Sequence, residues 1–185
     1  MGIKVENSFH VPADIGQTWR LITDVPRIVS CMPGAELTEA ARDGAYRGNA
    51  KVKIGPVQLQ FNGEARLYDV AAATHTMKVR TRASDAKGRG TVASEMRFAL
   101  TAEGSRTRVD VLTDLTLTGA VAQYGRGAGL IREVANQFTK DFAANLANMV
   151  AEAPPAKAAK PVSGLRLLFA ALRAMLARWL GRKPT

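Results

Sequence analysis

Gly125-Arg126-Gly127-Ala128-Gly129 has the make-up of a loop that could cradle an anion, with a cation set among glycines at the start of a helical pattern. The spacing is neither Gly-x-Gly-x-x-Gly nor a phosphate loop ending in Lys-Ser/Thr, and the segment opens the last long helix rather than an early βαβ unit. Two readings follow: an anion site at a helix N-terminus, or a bend that lets the helix approach a sheet. Other reactive side chains are scattered. Asp110 and Asp114 fall on the polar face of a strand, His10 on the wet face of another, and His75 in a turn. No nucleophile elbow, zincin motif or paired histidine and carboxylate is present, so no enzymatic activity is expected. Cys31 is the single cysteine, and with two histidines the chain has no basis for a disulfide framework or a Cys/His metal cluster. Lys78, Arg80, Arg82, Lys87 and Arg89 form a basic ridge that could track phosphates. No aromatic residues interleave for base stacking, and the alternation is that of a solvent-facing strand, so no nucleic-acid partner is expected.

The elements that must position these residues fit in 185 residues, enough for one domain and a short appendage. With 46% hydrophobic and 23% charged residues the composition is globular. The net charge is +10 and the pI about 10.3, but the excess is uneven. Lys157, Lys160, Arg166, Arg173, Arg178, Arg182 and Lys183 follow Ala153 without a single acid among them, whereas all 16 acidic residues precede it. The asymmetry points to a basic tail for an anionic partner. The N-terminus has no apolar leader, Glu6 stands where a myristoylation signal wants Ser or Thr, and no run of about 18 apolar residues could span a bilayer. A cytoplasmic location is expected.

Ile3, Val5, Phe9 and Val11 alternate with polar residues as in a half-buried strand. Asp14 can cap a helix carrying Ile15, Trp19 and Ile22, and Asp24-Val25-Pro26 starts a second short helix. Period-two segments follow over residues 46–54, 57–67, 77–82, 92–100 and 109–117, each with one apolar and one polar face and short turns between, which favours an antiparallel meander. From Gly119 the period changes. Val121, Tyr124, Ala128, Ile131, Ala135, Phe138, Phe142, Leu146 and Met149 imply a helix of about 30 residues, about 45 Å long. The fold class is α+β, and the element order is that of the helix-grip fold, a curved antiparallel sheet wrapped around a long C-terminal helix. Inward positions Gly48, Ala50, Gly63, Ala65, Ser94 and Thr113 are small. Small residues there allow either close sheet–helix contact or a cavity.

The domain is expected over residues 1–151, a linker rich in Ala, Pro and Lys over 152–163, and an amphipathic helix over 164–181. Leu165, Leu168, Phe169, Leu172, Leu176 and Trp179 share one broad face, Arg166 and Arg173 lie opposite, and Arg178 at the margin. At about 24 Å this helix is too short for a hydrocarbon core of about 30 Å. An in-plane position on an anionic lipid surface, with the arginines on headgroups, fits its pattern; docking on its own domain or on a partner protein is the alternative.

Cys31-Met32-Pro33-Gly34-Ala35-Glu36-Leu37 and Val52-Lys53-Ile54-Gly55-Pro56-Val57 resemble the G-subunit family of carbon monoxide dehydrogenase. The resemblance continues through Gly88-Arg89-Gly90-Thr91, Thr113-Asp114-Leu115 and Gly119-Ala120-Val121-Ala122-Gln123-Tyr124-Gly125-Arg126-Gly127, and covers about residues 3–150. It implies a START-like (SRPBCC) helix-grip protein that encloses a hydrophobic ligand and serves a molybdenum CO dehydrogenase, with no molybdenum, iron–sulfur or flavin site of its own. The expected ligand is a respiratory quinone, menaquinone or ubiquinone. Tyr46, Phe61, Gly63, Met96 and Phe98 would line its pocket from the sheet, with Leu115, Ile131 and Phe138, and Gln123 or Tyr124 would bond a quinone carbonyl. The tail would attach the protein peripherally to the inner face of the cytoplasmic membrane for electron delivery. A docking adaptor or an assembly factor without a bound ligand is the alternative.

Overall fold

Strand alternation closes into one antiparallel sheet in the computed structural model, which describes residues 2–39, 44–54, 57–126 and 128–152, without the side chains of 124–126 and 128. Strand β1 (Gly2–Val11) is followed by helices α1 (Ile15–Thr23) and α2 (Val25–Ile28) and a 3-10 turn at Val29–Cys31. Strands β2 (Ala35–Glu39), β3 (Ala45–Ile54), β4 (Val57–Ala71), β5 (Thr76–Asp85), β6 (Thr91–Glu103) and β7 (Arg106–Leu117) come next. Their spatial order is β1-β7-β6-β5-β4-β3-β2, so six strands meander and the first closes beside the last. Capping follows the sequence expectation: the Asp14 carboxylate accepts from the Gln17 N–H at 2.9 Å, and the Asp24 carboxylate from that of Arg27 at 3.3 Å.

Two elements differ from the sequence expectation. The edge strand β2 is additional, pairing Ala35 with Ala50 and Leu37 with Gly48. The long helix does not begin at Gly119. A 3-10 segment covers Gly119–Arg126, and α3 covers Ala128–Glu152, 25 residues and about 37 Å long. Gly119 has a positive φ of 64°, and the Val121 N–H is tied to the Arg89 carbonyl at 3.2 Å, so the first turns are held against the β5–β6 turn. The expected tail helix and its linker from residue 153 onward lie outside the described residues.

The inner face of the sheet is the one that meets α3. The Asn7 amide donates to Asn136 of α3 at 2.7 Å, and Phe9 meets Phe142 edge-on with ring centroids 5.6 Å apart. Apolar side chains on this face condense into two clusters. One gathers Phe9, Val11, Trp19, Leu21, Ile22, Ile28, Met77, Leu100 and Val109 beneath Phe142 and Leu146. The other gathers Ile3, Val5, Ile54, Leu59, Phe61 and Leu117 beneath Val121 and Ile131. Thus α3 is clamped through its early and late turns, each clamp driven by removal of apolar area from water. Cys31 is buried beside Met149, its Sγ 3.9 Å from the Met149 sulfur, and burial pushes its thiol pKa up.

Small residues at Gly48 and Gly63 have a backbone cause. The two glycines face one another across β3 and β4. A Cβ on Gly63 would overlap the Arg82 carbonyl and lie 2.5 Å from Ala83 Cβ; one on Gly48 would overlap the Glu36 carbonyl. Close strand approach, not space for a ligand, therefore accounts for this pair. Gly63→Ala is expected to lower unfolding free energy by about 1–3 kcal/mol in denaturant titration. Gly129→Ala, which meets nothing within 4 Å near the start of α3, is expected to raise it by up to about 1 kcal/mol.

Candidate functional site

Between the two clusters the inner face carries side chains that stay partly exposed. Cross-strand register aligns Tyr46, Ala65, Thr81, Ser94 and Leu115 in one row over β3, β4, β5, β6 and β7. The next row holds Leu67, Val79, Met96 and Thr113. Every residue of both rows is partly exposed, although it lies on the inner face of the sheet. A packed interior leaves no such access at the centre of a sheet. Phe138 shows the same space from the helix side. At about 100° per residue it lies about 20° from Ile131 and about 40° from Phe142 around the helix axis. Ile131 is 6% and Phe142 8% exposed, yet Phe138 is 41% exposed. These exposures are what a hollow floored by the mid-sheet rows and bordered by Phe138 would leave.

The hollow is mostly apolar, with polar points at its centre. The Thr81 and Ser94 hydroxyls face each other across β5 and β6 at 2.7 Å and are half-buried. Tyr46 lies in the same row, beyond Ala65, and Thr113 lies in the next row. Among the candidate ligand residues, Tyr46, Met96 and Leu115 share this central patch. Phe98 packs on the cluster beneath Phe142, whereas Phe61 and Ile131 are buried in the opposite cluster. Gly63 takes the tight strand crossing described above. Gln123 is exposed, and the Tyr124 side chain lies outside the described residues, as do Leu165, Arg166, Leu168, Phe169, Leu172, Arg173, Leu176, Arg178 and Trp179. Thr81 is a residue that sequence reasoning does not single out; Ser94 stands out there for its small size, not for its hydroxyl.

A buried ion pair lies at the end of β5, the strand that carries Thr81. Asp85, 4% exposed at the end of β5, accepts from Arg89 Nε and Nη2, both at 2.8 Å, and from the backbone N–H groups of Lys87 and Arg89 at 3.0 and 3.2 Å. The Arg89 side-chain hydrogen bonds hold its carboxyl at about 2, against burial, which acts in the opposite direction. The same turn carries Gly90, where a Cβ would overlap the Thr118 carbonyl, and Thr91, whose hydroxyl meets that of Thr118 at 2.6 Å. Three residues of the basic ridge are paired: Arg89 with Asp85, Lys78 with Asp69 at 2.8 Å, and Arg80 with Glu95 at 3.2 Å.

A separate open depression of about 880 Å³ lies on the outer face of the sheet, bordered by Glu6, Lys78, Arg97, Arg108 and Asp110 among others. On its wall Arg108 pairs with Asp110 at 2.9 Å, and among the described candidate ligand residues only Phe98 borders it. The partly exposed rows of the inner face are the more apolar candidate. Among the described residues no cluster of His, Cys, Asp and Glu could hold a metal, and no helix is long and apolar enough to cross a membrane.

The family model of the carbon monoxide dehydrogenase G subunit (CoxG) matches residues 8–151. The chain belongs to the CoxG family. The match runs from within β1 to the last turn of α3, so it takes in the first cluster, the second apart from Ile3 and Val5, and the mid-sheet rows between them. No curated protein matches the chain. Among solved structures, a conserved protein from Geobacillus kaustophilus is similar with a TM-score of 0.71 and 18% identity, over 82% of this chain and 96% of that one. The Zhui aromatase/cyclase from Streptomyces sp. R1128 has a TM-score of 0.57 and 14% identity, over 82% and 95%. A START superfamily protein from Mycobacterium smegmatis has a TM-score of 0.54 and 16% identity, over 82% and 99%. The CoxG domain thus has the START-like helix-grip fold.

Two outcomes test this geometry. Phe142→Ala is expected to cost about 3–5 kcal/mol, because it empties a packed cluster, and Phe138→Ala less than about 1 kcal/mol; equal losses in denaturant titration would show the centre to be filled. The Asp85 carboxyl is held below its ordinary 3.8, so the unfolded chain binds the proton first as pH falls. Its contribution is complete above about pH 4 and is lost toward pH 2. Arg89→Gln strands the buried carboxylate and raises its pKa, so the neutral-pH Tm should fall and the acid-side loss between about pH 4 and 2 should flatten or invert.

Proposed function

We propose that this protein is a non-catalytic accessory protein of a molybdenum CO dehydrogenase, which carries a respiratory quinone in the hollow under α3 and presents it to the enzyme at the membrane. The observation that carries this reading is Phe138, a large apolar side chain 41% exposed between the buried Ile131 and Phe142 of the same stripe. Side chains left wet in that position are what an apolar guest would cover. Burying the guest contributes about 25 cal/mol per Å² of apolar surface, enough to compete with lipid when the fit is good. The family's name supports association with CO dehydrogenase. The electron acceptor of such an enzyme is dissolved in the bilayer, and the acid-free basic segment after Ala153 suits the anionic inner surface of the cytoplasmic membrane. The CoxG domain lends a site, and the redox chemistry belongs to the guest and the enzyme.

Full-length protein purified from native membranes, extracted with solvent and analysed by mass spectrometry, is expected to release a prenylated quinone, menaquinone or ubiquinone. Ala65→Phe, placed in the central row, should lower the yield at least about tenfold with an unchanged circular dichroism spectrum. Recovery of no lipophilic redox molecule from the native protein would leave a ligand-free adaptor instead. The full chain should also sediment with phosphatidylglycerol vesicles and not with phosphatidylcholine vesicles. A chain ending at Glu152 should lose sedimentation and keep the quinone; retained sedimentation would place membrane attachment in the domain.

A further inference from the structure

The inner face could have been built without Thr81 and Ser94. They stand opposite each other at the centre of the hollow, in a row otherwise made of Tyr46, Ala65 and Leu115, where Val and Ala would keep the same volume. Their hydroxyls are 2.7 Å apart, and either can be the donor. Each hydroxyl has one hydrogen. One is used between the pair, so the oxygen that accepts retains a hydrogen of its own, for which no protein acceptor is present among the described residues. A half-buried donor left over in an apolar surround is costly unless a guest or water takes it. The donor is also strengthened, because an O–H whose oxygen already accepts a hydrogen bond is polarised further.

We propose that the Thr81–Ser94 hydroxyl pair is the polar anchor of the hollow and selects lipophilic ligands bearing a carbonyl oxygen over hydrocarbons of the same shape. The inference rests on the hollow being a ligand site and adds its selectivity. A carbonyl accepts the spare hydrogen and restores a complete chain of hydrogen bonds, Thr81 and Ser94 acting as one unit. An acyl chain or a plain aromatic ring entering the same space leaves the donor unpaired. The pair is thus a device for telling a quinone, ketone or ester head from the alkyl chains that surround it in a bilayer.

The test uses the full-length protein and two probes of nearly the same size, menadione and 2-methylnaphthalene, in equilibrium binding. Wild type is expected to prefer menadione by about five- to tenfold, the worth of one hydrogen bond. Thr81→Val with Ser94→Ala should remove that preference while leaving the affinity for 2-methylnaphthalene within about twofold. Thr81→Val and Ser94→Ala singly, each leaving one hydroxyl with a free hydrogen, should retain part of it and show that the double variant is not merely misfolded. Equal wild-type binding of the two probes, or a preference that survives the double variant, overturns the anchor and leaves the ligand site standing. Binding of neither probe overturns the ligand site along with it.

Discussion

One helix cannot fill the concavity of a seven-stranded sheet, and the structure depends on where it is allowed to fail. Apolar mass is concentrated under the early and late turns of α3, with Ile131 on one cluster and Phe142 and Leu146 on the other. Each clamp removes large side chains from water and contributes several kcal/mol. The span between them holds the small side chains of Ala65, Thr81, Ser94 and Thr113, all partly exposed. A void costs the dispersion its lining would otherwise gain. The cost is bearable because the helix is already fixed at both ends, so the hollow is not required to hold the fold together. A guest that enters it then adds stability by mass action without being needed for folding.

Much of this is legible in the residues, and the exceptions have physical reasons. Six strands are readable because one face of the sheet is wet, so the alternation in segments such as Tyr46–Ile54 is clean. Strand β2 escapes notice because Ala35–Glu39 is a short edge strand with little burial, directly after the breakers Pro33 and Gly34. The start of the long helix is misplaced because Val121 continues the apolar period, while what ends the α-helix there is a tertiary tie to Arg89 in a turn 32 residues earlier. Small inward residues mark the hollow but also mark Gly48 and Gly63, where the reason is strand approach. Only coordinates separate those two causes.

The centre of the site is hidden for a different reason. Periodicity assigns a residue to a face but does not say which residue stands opposite. Thr81 and Ser94 become a pair only once β5 and β6 are in register, and each alone is an unremarkable small position. The stripe puts Phe138 on the sheet-facing side of the helix, but its exposure cannot be read from that stripe, since Ile131 and Phe142 share it and are buried. The glycine-rich motifs after β5 and before α3 read as separate signatures in the chain. In space they are one joint: the Asp85–Arg89 pair shapes the turn, and the turn holds the 3-10 segment that leads into α3.

The joint bears on how a guest of mixed character could be accommodated. A purely apolar hollow discriminates weakly, because one methylene more or less changes affinity by only about 1–3 kcal/mol, and a bilayer offers an excess of hydrocarbon competitors. Selectivity against acyl chains has to come from a polar group that a hydrocarbon leaves unpaired. Such a group works only when its position is fixed, since a hydroxyl free to move would find water. Thr81 and Ser94 sit mid-strand in the sheet, between the clusters, and Asp85 anchors the end of the same strand β5 through four hydrogen bonds from two residues. Rigidity at the strand ends and emptiness at its centre are thus complementary: the first positions the donor, and the second leaves room for the acceptor.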